Sequence, residues 1–222
     1  MSQQFTGAGV ALITPFDSNN QIDVKALETV IQNQVKGGID YLVALGTTAE
    51  TSTLSSSEKA KVIEIVKKNA GNLPVVVGIG GNNTQAVTDT IKSTNLEGVS
   101  GILMVTPYYN RPTQEGLFRH YMAAAEASPL PIILYNVPSR TGINLEAETV
   151  VRLAEASEKF VAVKEASGSL QQITGIIKHA PENFTMISGD DGLALATIAV
   201  GGKGLISVIA NALPDFVSKM VH

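Results

Sequence analysis

The chain has 222 residues, of which 44% are apolar and only 16% charged, so it can fill a large core and is no disordered polymer. Its net charge is −4 and no basic run exceeds Lys67-Lys68, which speaks against a nucleic-acid partner. Cysteine is absent and the three histidines, His120, His179 and His222, lie far apart, which removes disulfides, thiolate nucleophiles and a histidine-rich zinc site.

At the N-terminus, Met1-Ser2-Gln3-Gln4-Phe5-Thr6-Gly7 has no basic segment leading into an apolar stretch, so no signal peptide is expected. No later run approaches the ~18 apolar residues of a membrane span, and a soluble, cytoplasmic protein is expected. Strand-length apolar runs then follow at 9–14, 41–45, 75–79, 102–105, 132–135, 160–163, 184–187 and 205–208. They read as continuous apolar stretches without strict alternation, as in a parallel sheet covered on both faces. Between them lie segments with helical spacing, such as Leu27, Val30 and Ile31, then Val62, Ile63 and Val66, then Val150, Val151 and Ala154. Ser55-x-x-Glu58 and Ser169-x-x-Gln172 have the form of capping boxes that open helices, and Gly37-Gly38 sits where one must stop.

Eight strand–helix units at a mean spacing of about 28 residues predict an α/β fold of the (β/α)8 TIM-barrel type, one domain over residues 1–222. The alternative, a doubly wound open sheet, calls for a glycine-rich phosphate turn after the first strand, where this chain has Thr14-Pro15-Phe16-Asp17. Residues 214–222 supply barely two turns of an eighth helix, and such barrels typically need about 250 residues. Either the barrel is minimal, or its C-terminal end is truncated and residues beyond His222 are missing.

Barrel enzymes carry their chemistry at the C-terminal ends of the strands. Lys164 is the sharpest signal there, because it alone of twelve lysines follows directly on an apolar strand. Alternation places it on one face with Ala162, opposite Val161 and Val163. Inside a barrel, desolvation would lower the pKa of such an amine and make it a nucleophile for a ketone or aldehyde. The competing reading is a lysine paired with a carboxylate such as Glu165. Tyr135, on the preceding strand, is a phenol placed to exchange protons, or else a core tyrosine. The hydroxyls and backbone N–H groups of Thr47-Thr48 suit a small carboxylate. Arg140, one of four arginines, suits bidentate capture of another carboxylate, or a surface salt bridge. Asp190-Asp191 stands where a barrel phosphate site would lie and argues against a phosphorylated substrate. The pair reads as a helix cap before it reads as a metal site, and no metal is expected.

Gly46-Thr47-Thr48-x-Glu50, Thr106-Pro107-Tyr108-Tyr109-Asn110, Tyr135-Asn136-Val137-Pro138-Ser139-Arg140-Thr141-Gly142, Lys164-Glu165-Ala166-Ser167 and Ser188-Gly189-Asp190-Asp191 occur in that order. Together they resemble the dihydrodipicolinate synthases of the pyruvate-dependent class I aldolase superfamily, over essentially the whole chain. The resemblance implies that Lys164 forms a Schiff base with pyruvate, and that Tyr135 relays protons while bonded to Thr48. Tyr109 of a neighbouring subunit would complete the relay, so a homo-oligomer is implied, a dimer or a dimer of dimers (homotetramer). Thr47, Thr48, Gly189 and the backbone near Ile206 would hold pyruvate, and Arg140 the carboxylate of L-aspartate 4-semialdehyde. The product would be 4-hydroxy-tetrahydrodipicolinate, on the diaminopimelate route to lysine, with no metal or organic cofactor. The alternatives are a pyruvate aldolase acting on a 2-keto-3-deoxy sugar acid or N-acetylneuraminate, and a non-catalytic barrel that binds a small acid. Ala49 stands where the family usually has glycine, a tolerable change unless the backbone needs positive φ there.

Overall fold

In a computed structural model of the chain, which describes residues 5–222, eight parallel strands close into a barrel in sequence order. They are β1 (Gly7–Ala11), β2 (Tyr41–Ala44), β3 (Val75–Gly78), β4 (Gly101–Val105), β5 (Ile132–Asn136), β6 (Phe160–Glu165), β7 (Thr185–Ser188) and β8 (Gly204–Ser207). The helices are α1 (Val24–Lys36), α2 (Ser56–Asn69), α3 (Thr84–Ser93), α4 (Gln114–Ala127), α5 (Pro138–Thr141), α6 (Ala147–Ala156), α7 (Leu170–His179), α8 (Ala194–Ala199) and α9 (Pro214–Val221). All eight expected strands are present. The first ends earlier than its apolar run because the N–H of Ile13 donates to the Asn211 side chain (3.1 Å) instead of a neighbouring strand. Among the described residues no helix is long and apolar enough to cross a membrane.

Two apolar layers result from the pleat. Ala11, Val43, Val76, Leu103, Ile133, Ala162, Ile187 and Ile206, one from each strand, meet with Tyr41 and Tyr135 inside the barrel. Their sequence neighbours, including Val10, Leu42, Val77, Met104, Leu134, Val163 and Leu205, face outward against the helices. Inside, Tyr41 lies over Gly9, where a Cβ would stand 2.4 Å from the ring; only glycine admits that tyrosine. Helix α2 opens on the full capping box between Ser55 and Glu58. Ser218 Oγ donates to the Gly38 carbonyl (2.8 Å) and His222 meets Asp40 (3.0 Å), which fastens α9 to the turn between α1 and β2.

One strand departs from simple alternation. Ile132 pairs with Phe160 but Ile133 pairs with Ala162, so Val161 is an extra, bulged residue. Phe160 therefore faces the helices, edge-on to Tyr121, while Ala162 and Lys164 face inward. The expected grouping of Ala162 with Lys164 holds. Val161, expected opposite them with Val163, instead packs against the interior cluster.

Candidate active site

The C-terminal ends of β5, β6 and β7 meet around one amine. Lys164 is 4% exposed, and its strand partner in register is Tyr135. The lysine Nζ lies 4.4 Å from the centre of the Tyr135 ring. Gly189, just beyond β7, runs over the lysine stem: a Cβ there would stand 3.0 Å from Lys164 Cγ and 2.8 Å from Ala166 Cβ. Ile206 and Ile187 are fully buried in the same interior cluster. Burial pulls the Lys164 ammonium down to about 8; the Asp191 carboxylate opposes that drop and the Arg140 guanidinium adds to it. The amine is thus shielded, and an appreciable neutral fraction exists near pH 7. Glu165, one residue on, points to the opposite face of the wall and accepts hydrogen bonds from Asn136, Ser167 and Gln172, so it does not neutralise Lys164.

Tyr135 is 6% exposed. Burial raises its pKa, while a hydrogen bond with Thr47 and the charge of Arg140 lower it. The hydroxyl set against the phenol is therefore that of Thr47; the expectation named Thr48. Gly46 begins a tight turn over Thr47–Ala49, and that turn aims consecutive side chains in different directions. Ala49 is buried within it at negative φ, and the left-handed residues flanking the turn are Leu45 (φ 56°) and Glu50 (φ 53°). The methyl group at 49 consequently introduces no backbone strain.

Arg140 sits in α5, which starts on Pro138 and ends on Gly142 in the left-handed region (φ 73°). It is exposed at the mouth, close enough for its charge to act on both Lys164 and Tyr135. Tyr109 is 90% exposed and held outward by a left-handed backbone (φ 73°), with Asn82 Nδ2 donating to the adjacent Tyr108 carbonyl (3.1 Å). Within one chain it stands apart from the Lys164–Tyr135 pair.

Asp190 and Asp191 do structural work. Asp190 accepts from Gly192 N (2.8 Å) and caps the turn after β7. Asp191 accepts from Ser207 Oγ and from the N–H groups of Val208 (3.0 Å) and Ile209 (3.3 Å), which fixes the loop beyond β8. Among the described residues no group of three or more His, Asp or Glu gathers as a metal cluster. Sequence reasoning took Asp191 for a cap and missed its charge on Lys164. It also missed Asn136 and Gln172, although an asparagine closing an apolar strand is itself a sign of a buried polar contact. Gln172 completes no reciprocal cap; its side chain turns inward to Glu165 (2.8 Å).

The chain is similar to known proteins over almost its whole length. The model of the dihydrodipicolinate synthetase family covers residues 4–222. The 4-hydroxy-tetrahydrodipicolinate synthase of Parabacteroides distasonis is 50% identical over 217 residues, 97% of this chain and 73% of that protein. Its counterpart in Flavobacterium psychrophilum is 49% identical over 221 residues, 99% of this chain and 75% of the relative. Among solved structures, dihydrodipicolinate synthase from Thermotoga maritima superposes with a TM-score of 0.95 at 36% identity, covering 98% of this chain and 75% of that one. The Aquifex aeolicus enzyme gives 0.93 at 40% identity, over 98% and 74%. The chain thus spans about three quarters of each relative, and it belongs to the dihydrodipicolinate synthetase family.

Proposed function

We propose that this chain is a 4-hydroxy-tetrahydrodipicolinate synthase that joins pyruvate to L-aspartate 4-semialdehyde through a Schiff base on Lys164. The observation that carries the reading is a buried amine, drawn down to about 8, in register with a buried phenol inside the barrel. The neutral amine attacks the keto carbon of pyruvate and water leaves, forming the imine. Loss of a methyl proton gives the enamine, which bonds to the aldehyde carbon of the semialdehyde. The semialdehyde's own amine then displaces Lys164 from the imine carbon, closing the ring and freeing the enzyme. Tyr135 and Thr47 carry protons in these steps, and Thr47 and Thr48 with the backbone near Gly189 and Ile206 hold the pyruvate carboxylate. The protonated imine is the electron sink, so the scheme needs neither metal nor organic cofactor. Tyr109 would complete the relay in a neighbouring subunit, which makes the active form a homo-oligomer, a dimer or homotetramer. The proposed setting is the cytoplasm.

Incubation with pyruvate followed by borohydride reduction tests the chemistry. The peptide bearing Lys164 is expected to carry the reduced pyruvyl adduct by mass; an unmodified chain would overturn the proposal. The second substrate is tested separately. Arg140→Ala is expected to lower kcat/KM for the semialdehyde by about 10- to 100-fold, the loss of a charge-assisted bidentate contact, while pyruvate trapping persists. Unchanged turnover in that variant would point to a different aldehyde.

A further inference from the structure

We infer that Asn136 and Glu165 are positioning residues for the reaction: their hydrogen bonds across the outer face of the barrel wall set Tyr135 against Lys164 on the inner face. This rests on the Schiff-base reading above and deepens it. Tyr135 pairs with Lys164 in the β5–β6 ladder, and the next pair in the same register is Asn136 with Glu165. Because successive side chains alternate across the wall, the first pair faces the interior and the second faces the helices.

The outer pair is buried and satisfied. Asn136 is 0% and Glu165 1% exposed. Asn136 Nδ2 donates to both Glu165 oxygens (3.2 and 3.0 Å), Gln172 Nε2 donates to one (2.8 Å) and the Ser167 N–H to the other (2.7 Å). Every one of these partners is an N–H donor, so the site is built around an acceptor-only carboxylate. Asn136 is itself fixed by Asn144 Oδ1 (2.8 Å) and by the Leu145 N–H, which donates to Asn136 Oδ1 (2.9 Å). Asn144 Nδ2 closes the circuit by donating to Gln172 Oε1 (2.7 Å). One network thereby joins β5, the segment before α6, β6 and α7.

Such a network is costly to bury, and an apolar pair of like volume would stabilise the wall as well or better. What it adds is a single allowed geometry. The apolar contacts one step back, between Leu134 and Val163, tolerate small slides, whereas three N–H groups converging on one carboxylate through four hydrogen bonds do not. Proton exchange between phenol and imine requires placement to within about 0.5 Å, and the pair that needs it is attached to the same two backbone segments.

The test compares Glu165→Gln with Thr149→Val. The first keeps the shape of the side chain but turns an amide N–H toward a cluster of donors. The second removes the partly buried bond from Thr149 Oγ1 to Gln114 (2.7 Å), which makes no contact with Asn136 or Glu165 and reaches their network only through the Gln114 bond to the Asn144 carbonyl (2.8 Å). Both are expected to lower the melting temperature. Glu165→Gln is also expected to lose about 10- to 100-fold in kcat and in the rate of borohydride-trappable imine formation, with KM for both substrates within about threefold of wild type. Thr149→Val is expected to keep kcat. Should Glu165→Gln fail to fold, Gln172→Met, which withdraws one donor from Glu165 and the acceptor of Asn144 Nδ2, is expected to cost kcat about 3- to 10-fold with the same unchanged KM. If Glu165→Gln, or Gln172→Met in its place, keeps pace with Thr149→Val while wild type traps pyruvate, the positioning role is wrong. A wild type that traps nothing overturns the Schiff-base reading, and this inference with it.

Discussion

Lys164→Met is expected to abolish turnover, by roughly 10⁴- to 10⁶-fold as for other covalent nucleophiles, and at the same time to make the protein more stable at neutral pH. Both effects have one cause. In the unfolded chain the ammonium loses its proton near 10.5, but burial in the barrel brings that down to about 8. Below pH 8 the folded protein holds a charge that would prefer water, at a cost of roughly 3 kcal/mol. Between pH 8 and 10.5 the unfolded state binds more protons than the folded one, so this penalty shrinks as pH rises and is gone above that window. Methionine fills similar space without the charge. Urea unfolding at pH 7 is expected to show the variant ahead by about that amount, with the gap closing toward pH 10.5. The wild-type rate of imine formation is expected to climb with pH and level off above about 8. A variant no more stable than wild type at pH 7 would mean that the amine is not desolvated.

Tyr135→Phe is expected to lower kcat by about 10²- to 10⁴-fold, the range for loss of a positioned proton carrier. The ring remains, so the interior packing of Ile133, Ala162 and Ile206 around it is kept. Only the bond to Thr47 is lost, and stability should fall by about 1 kcal/mol or less. The reduced adduct on Lys164 should still accumulate after long incubation with pyruvate, because the amine is intact and only proton movement has slowed. Stopped-flow trapping separates the slow rate from the preserved endpoint; a fast rate in this variant would remove Tyr135 from the relay.

Much of this was legible in the chain because a parallel barrel writes itself as eight doubly buried apolar runs, and a lysine closing one of them has few ordinary explanations. Lys164, near the end of β6, and Arg140, in the segment that follows β5, could be placed at the reactive end for the same reason. What could not be read depends on local geometry without a compositional signature. The bulge at Val161 looks like any valine in a strand, yet it decides that Phe160 faces the helices. Which threonine of Thr47-Thr48 meets the phenol depends on a tight turn whose aim the string does not encode. Gln172 had the right spacing for a cap but found a stronger partner in Glu165, a choice visible only once β6 and α7 are side by side.

Val161 also separates the two rims of the barrel. The ladder runs Ile132 to Phe160 and then Ile133 to Ala162, so a chain lacking that one residue would close the same pairing without a gap. The extra residue at the entrance of β6 is absorbed within a single step, and from Ala162 onward the pairs run without a gap to Tyr135 and Lys164. One residue more at the bottom of this strand thus leaves the pairing at its top, where the amine meets the phenol, in unbroken register.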